Sequence, residues 1–211
     1  MNIAFLGYGQ VGAPLADHLA RAGHNVTLGA AEPFSDRALK ALRRNAELKA
    51  APPREAILGA DVVFLATPFA ANEALLMAVA TELVGKVLVD CTNPVGPGLN
   101  HGLNSARSGT EMIQTLLPAT KVVKAFTIYG FENLENSAYP GYNVKPAMLF
   151  CGADAAAKQR VARLIGDLGW EPVDTGGIEQ ALPLEHMTLL WIRMVRLGGQ
   201  SPHVVWAALR R

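Results

Sequence analysis

Apolar and polar residues along the chain keep changing period, and the changes mark out elements. Residues 2–6 are an apolar run of strand length, and beyond a cluster of glycines Val11, Leu15, Leu19 and Ala22 return at helical spacing until Gly23. Residues 24–28 read as a second strand. Ser35 then stands where it can cap a helix whose Leu39, Leu42 and Ala46 face inward while Arg37, Lys40 and Arg44 share another face. Pro52 and Pro53 end that helix. After a short helical patch, Asp61 introduces a strand over 62–66, which Pro68 closes. A helix over 70–83 with Leu75, Val79 and Leu83 inward and a strand over 87–89 repeat the theme. So do a helix over 110–117, strands over 122–126 and 147–151, a helix over 154–168 and a strand over 171–174. Strands alternating with helices predict βαβ units, and therefore an α/β fold with a doubly wound, mainly parallel sheet over 1–175.

Two stretches break this rhythm. Residues 92–109, rich in Asn, Gly, Pro and Ser, predict a long loop, and loops of that length inside a domain are usually functional. Between Leu184 and Leu197 apolar residues occupy nearly every side of the predicted helix, so it must be covered all round. A homodimer that uses this helix together with Val204, Val205 and Trp206 supplies one cover, and the irregular stretch 129–146 of the same chain supplies the other. The expected division is one domain over 1–177 with a short helical extension over 178–211 that is not independent.

Composition narrows the function. The chain has 211 residues, with 19 Lys and Arg against 18 Asp and Glu for a net charge of +1, so it lacks the cationic excess that a broad nucleic-acid-binding face needs. Cys91 and Cys151 are too few and too far apart for a metal cluster or a disulfide scaffold and read as small buried hydrophobes. No apolar stretch approaches the roughly 18 residues of a membrane span, and no basic segment with a cleavage site opens the chain, so a cytoplasmic protein is expected.

The chemistry starts at Gly7-Tyr8-Gly9-Gln10-Val11-Gly12, a G-x-G-x-x-G directly after the first strand and opening the first helix. In that context the first glycine permits the turn, the second lets backbone approach a pyrophosphate, and the third lets helix and strand pack closely, which makes the sheet Rossmann-type. Choice between NAD and NADP should be read after the second strand, at Ala30-Ala31. Glu32 there would favour a ribose diol, whereas Arg37 on the next helix would favour a 2′-phosphate, and both readings stand. Ala66-Thr67-Pro68 and Asp90-Cys91-Thr92-Asn93-Pro94 each follow a strand, so Thr67, Thr92 and Asn93 should line the same sheet edge as the glycine loop. Asn93 offers a donor and an acceptor suited to a nicotinamide amide, or with Pro94 it simply forms a turn. No histidine spacing suggests a metal, no serine lies in a nucleophile elbow, and Glu185-His186 reads as part of a packed helix.

Taken in order, several segments resemble one family. They are the glycine loop, Asp61-Val62-Val63 leading to Thr67-Pro68, Asp90 with Asn93-Pro94, Ser108-Gly109-Thr110-Glu111, Val122-Val123-Lys124-Ala125-Phe126 and Asp174-Thr175-Gly176. The chain from Met1 to about Gly177 is similar to the NADP oxidoreductase family that includes coenzyme F-420-dependent enzymes and the N-terminal oxidoreductase domain of membrane ferric reductases. The resemblance implies NADP(H) rather than NAD(H), a flavin or deazaflavin coenzyme F-420 as second substrate, and direct hydride transfer with no catalytic acid or base. It further implies that the Gly7 to Gly12 loop, Thr67, Asn93 and Ala125-Phe126-Thr127 surround the nicotinamide. The chain departs from relatives at Ala30-Ala31, where they often carry Ser-Arg, and at Thr127, where they carry Asn. Two other readings stay open: an imine or carbonyl reductase like pyrroline-carboxylate reductase or β-hydroxyacid dehydrogenase, and an NADP(H)-binding redox sensor without turnover.

Overall fold

Eight strands form one sheet in the order β3-β2-β1-β4-β5-β6-β7-β8 in the computed structural model, which describes residues 1–211. They are β1 Asn2–Leu6, β2 Asn25–Gly29, β3 Lys49–Ala51, β4 Val62–Leu65, β5 Val87–Asp90, β6 Lys121–Lys124, β7 Ala147–Gly152 and β8 Glu171–Asp174. All neighbours are parallel except β6 and β7, so the fold is the doubly wound, mainly parallel sheet expected. The central strands are apolar throughout because both of their faces are covered. Ile3, Phe5, Val62 and Phe64 enter one core, while the alternating Ala4, Leu6, Val63 and Leu65 enter the other. Phe5 stacks on Phe64 with ring centroids 4.6 Å apart.

The helices are α1 Gly12–Arg21, α2 Asp36–Leu42, α3 Pro53–Leu58, α4 Asn72–Ala78, α5 Ala80–Leu83, α6 Gly109–Leu116, α7 Ala155–Asp167 and α8 Ala181–Arg196. Several boundaries differ from the sequence reading for identifiable reasons. The helix expected over 70–83 splits into α4 and α5, because Val79 leaves helical geometry at φ −123°, ψ 16°. The strand expected over 122–126 stops at Lys124, since Phe126 adopts φ +59° and cannot continue it. In α2 the buried residues are Ala38 and Ala41; Leu39 and Leu42 are half-buried, and Ala46, beyond the helix end, is exposed. β3 escaped the sequence reading because three residues, Lys-Ala-Ala, carry neither alternation nor β-branching.

The C-terminal region folds back onto its own chain. α8 starts three residues earlier than expected, with Pro183 in the first turn, where a missing N–H costs nothing. Trp191 and Val195 belong to the same core as β1 and β7, and Val204, Val205 and Trp206 pack against that core. The Trp191 indole donates to the Val204 carbonyl at 2.8 Å, and the Ala147 amide donates to the Trp206 carbonyl at 2.8 Å. The tail expected at an intermolecular contact is thus taken up within the chain. Part of 129–146 shares in this cover, with the Asn133 amide donating to the Pro202 carbonyl at 2.8 Å. No helix is long and apolar enough to cross a membrane.

Candidate active site

The sheet order reverses between β1 and β4, and the glycine loop sits at that switch point. Its three glycines have separable jobs. Gly7 lies at φ +99°, and a Cβ there would fall 2.5 Å from the Ala66 carbonyl carbon, so the ends of β1 and β4 meet only over glycine. A Cβ on Gly12 would lie 2.0 Å from the Gly7 carbonyl oxygen. Above Gly9, by contrast, the space is open: its Cβ would meet nothing closer than an Arg37 guanidinium nitrogen at 3.8 Å. α1 begins at Val11-Gly12 with no side-chain cap and no acidic residue in its first turn; the Ala13 amide is taken by the Gly9 carbonyl at 2.9 Å and Pro14 carries none, so the Gly12 amide and the helix dipole are what an anion would meet.

That helix start lines a cavity of about 440 Å³, together with Tyr8, Gly9 and Gln10 from the loop, Arg37, Lys40 and Arg44 from the α2 region, and Phe131 and Glu135. The Arg37 guanidinium lies 5.6 Å from the centre of the Tyr8 ring. Arg44 is taken up by Glu135 at 2.5 Å and Asp17 at 3.8 Å, which leaves Arg37 and Lys40 as the uncommitted cations. Of the residues after β2, Ala30 is buried and Ala31 exposed, and neither lines this cavity. Glu32 does not line it either; its carbonyl accepts from the Ser35 hydroxyl at 2.8 Å in the turn that starts α2.

A second cluster collects along the carboxyl ends of β4, β5 and β6. Half-buried Thr67 donates its hydroxyl proton to Asn72 Oδ1 at 2.8 Å, while exposed Pro68 starts the turn that follows. Asn93 Nδ2 reaches the Thr127 carbonyl at 3.4 Å. Thr188 of α8 holds both, with its Oγ1 2.9 Å from the Thr127 carbonyl and 3.2 Å from Asn93 Oδ1. Thr127 Oγ1 is buried and has no hydrogen-bond partner. Ala125 and Phe126, expected beside the nicotinamide, bury their side chains in the core, so only their backbone can face the crevice. Pro94 is buried and its carbonyl takes the Gly102 amide, closing the loop back on itself.

Beneath this edge lies a network that sequence reasoning missed. Lys124 is fully buried, 3.0 Å from Glu185 Oε1, 3.4 Å from Asp90 Oδ2 and 2.9 Å from the Thr92 carbonyl. Burial alone would lower its pKa, but the Asp90 and Glu185 carboxylates outweigh burial and hold it above its ordinary value. Glu185 also accepts from the Gly109 amide at 3.0 Å, which caps the start of α6. It takes a further bond from His101 Nε2 at 2.8 Å. Backbone N–H groups of Leu103 and Ser105 point at His101 Nδ1, at 3.3 and 3.2 Å, and so assign the ring proton to Nε2. The only advance signal was a lysine at the end of an otherwise apolar strand. Glu185 is accordingly a packed residue, as its helix suggested, whereas its neighbour His186 is exposed with its ring 5.4 Å from that of His101.

Aromatic residues of the irregular stretch divide. Tyr129 is core, stacked on Trp170 at 5.2 Å, and burial raises its hydroxyl pKa; Phe131 lines the cavity beside Tyr8 and Arg37; Tyr142 is exposed.

Sheet order, crossover and glycine-loop placement together define a Rossmann-type α/β protein. Comparison with known proteins takes this further. Residues 2–94 match the model of the family described as NADP oxidoreductase, coenzyme F420-dependent. The F420-dependent NADP reductase of Methanothermobacter marburgensis is 31% identical over 211 aligned positions, covering 92% of each chain. The crystal structure of an Arthrobacter sp. FB24 protein assigned as an F420-dependent NADP reductase superposes with a TM-score of 0.83 at 32% identity, covering 96% of each chain. Rat metalloreductase STEAP3 is 28% identical over 188 residues, but this chain spans only 36% of that protein's length. The chain belongs to the coenzyme F420-dependent NADP oxidoreductase family, and it is an oxidoreductase.

Proposed function

We propose that the protein binds NADP(H) across the glycine loop and exchanges hydride with a flavin or deazaflavin such as coenzyme F-420. The observation that carries this reading is the uncapped start of α1 opening into a groove whose free cations are Arg37 and Lys40, a site shaped and charged for a phosphorylated dinucleotide. Relatives named for NADP and F420 support it.

In this reading Gly9 and the α1 N-terminus take the pyrophosphate, and Arg37 with Lys40 takes the 2′-phosphate. Those two replace the Ser-Arg absent at Ala30-Ala31. Thr67 and Asn93 face the nicotinamide, with the Thr127 backbone holding the Asn93 amide in place. NADPH supplies the hydride when bound, so the chain itself needs to position two rings and exclude water rather than transfer protons. The network under the edge fits that demand, since its groups are committed to one another. The helical extension 178–211 works as part of the same unit, with α8 closing the site from behind Asn93.

The experiment follows the label. NADPH deuterated at one face of C4 should deliver deuterium to carbon C5 of F-420, or, with a flavin whose N5 hydrogen exchanges with water, slow the oxidation, and an effect from one face only is the expected result. NADPH oxidation with an imine or a carbonyl compound but no flavin-type acceptor would shift the assignment to that reductase class. Binding without oxidation by any acceptor would make the protein a sensor.

Self-association belongs to the same reading. Leu190, Met194 and Leu197 fall along one stripe of α8, with Leu190 52% and Leu197 72% exposed and Met194 half-buried. A second copy of the chain is the proposed cover. Light scattering at micromolar concentration should give twice the 22.4 kDa chain mass, and Leu190→Glu should return the monomer.

A further inference from the structure

The hydrogen bonds linking Thr67 to the buried Asp90 admit only one polarity. Asp90 Oδ1 accepts from the Thr92 amide at 2.9 Å and lies 2.7 Å from Thr92 Oγ1. Asp90 Oδ2 takes the Thr110 hydroxyl at 2.7 Å and faces Lys124. The Thr92 amide on Oδ1 and the Lys124 ammonium on Oδ2 can only donate, so each oxygen of this carboxylate acts as an acceptor and the two threonine hydroxyls donate to it. Thr92 must therefore spend its one hydroxyl proton on Asp90, and its Oγ1 can only accept from Asn72, 2.9 Å away. That fixes the amide of Asn72, fully enclosed at 4% exposure, with Nδ2 toward Thr92 and Oδ1 toward Thr67. Thr67 must then give its own proton to Asn72 Oδ1 at 2.8 Å. What remains on Thr67, on the half-buried side at the crevice, is lone pairs alone.

We infer that Asp90, Thr92 and Asn72 form a polarity relay that presents Thr67 Oγ1 as an obligate hydrogen-bond acceptor, recognising an N–H donor on the ligand. Resting on the dinucleotide reading above, the donor is the carboxamide NH2 of the nicotinamide. Asp90, Thr92 and Asn72 are positioning residues; they act through Thr67. The relay also gives the chain a reason to hold a carboxylate at the end of β5, where burial is costly, with Lys124 as its counter-charge.

The test uses binding, not turnover. NADP+ is compared with its 3-acetylpyridine analogue, in which a methyl group replaces the amide NH2, and with 2′,5′-ADP, which lacks the nicotinamide half. Wild type should bind NADP+ roughly threefold to tenfold more tightly than the analogue, the worth of one hydrogen bond. Thr67→Val should abolish that preference and Thr67→Ser should keep it, with 2′,5′-ADP affinity unchanged in both. Thr92→Val, which cuts the relay one bond behind Asn72, should also abolish it. Should Thr92→Val fail to fold, the Thr67 pair decides the matter alone, because that side chain is half-exposed. Equal binding of NADP+ and the analogue by wild type, or an undiminished preference in Thr67→Val or folded Thr92→Val, overturns the relay. If instead NADP+ binds wild type no better than 2′,5′-ADP does, the placement of the nicotinamide fails, which is a different result.

Discussion

Lys124 shows how much a single buried residue can organise. It lies between two carboxylates from different elements and is the counter-charge of both, while Thr92, Thr110, Gly109 and His101 satisfy their remaining oxygen lone pairs. Lys124→Met fills the space yet leaves two buried carboxylates without their counter-charge, so it should lower stability by about 3–5 kcal/mol in urea unfolding. A loss under about 1 kcal/mol would show that the carboxylates find other partners. The pH dependence has a definite sign. A folded pKa raised above the ordinary lysine value of 10.5 gives a contribution fully present below that pH and lost as pH rises through the folded value, so this network should not weaken across the neutral range. Burial pushes the Cys151 thiol up to about 12 and that of Cys91 well above its ordinary value, so both stay protonated at neutral pH.

At the scale of elements, the glycine loop separates folding from binding. Gly9→Ala places a methyl group in open space and should leave the melting temperature nearly unchanged while weakening dinucleotide binding, because backbone can no longer approach a pyrophosphate. Gly12→Ala sets its methyl group against the Gly7 carbonyl and should destabilise the fold itself. Thermal melts of the two variants, with cofactor titration of Gly9→Ala, test this division; equal melting losses would refute it. These glycines also show what was legible in the sequence. A motif whose members are consecutive, placed on a strand-turn-helix of clear periodicity, announces both fold and cradle. β3 did not announce itself, because its three residues carry no pattern. Nor did the buried network, whose members stand at 90, 92, 101, 124 and 185 and meet only through the sheet register and the return of α8. The core placement of Ala125 and Phe126 was hidden for a related reason: a strand end shows which residues reach an edge, while the φ of Phe126 sets where their side chains go.

Across the whole molecule, the sheet brings an electropositive groove at the β1–β2 side and a hydrogen-bonding edge at the β4–β6 side into one line over the carboxyl ends of the strands, as a dinucleotide with two unlike halves requires. α8 holds that edge from behind through Thr188 and Glu185, so its geometry depends on the C-terminal helix. In the proposed function α2, and not the residues directly after β2, reads the phosphate end. Dissociation constants for NADPH and NADH, measured by fluorescence for wild type and Arg37→Ala, test it most directly. A charge-assisted contact is worth about 1.5–3 kcal/mol, so the substitution should weaken NADPH roughly 10- to 150-fold and leave NADH nearly unchanged. Tighter binding of NADH by the wild type, or equal losses for both cofactors, would contradict the account.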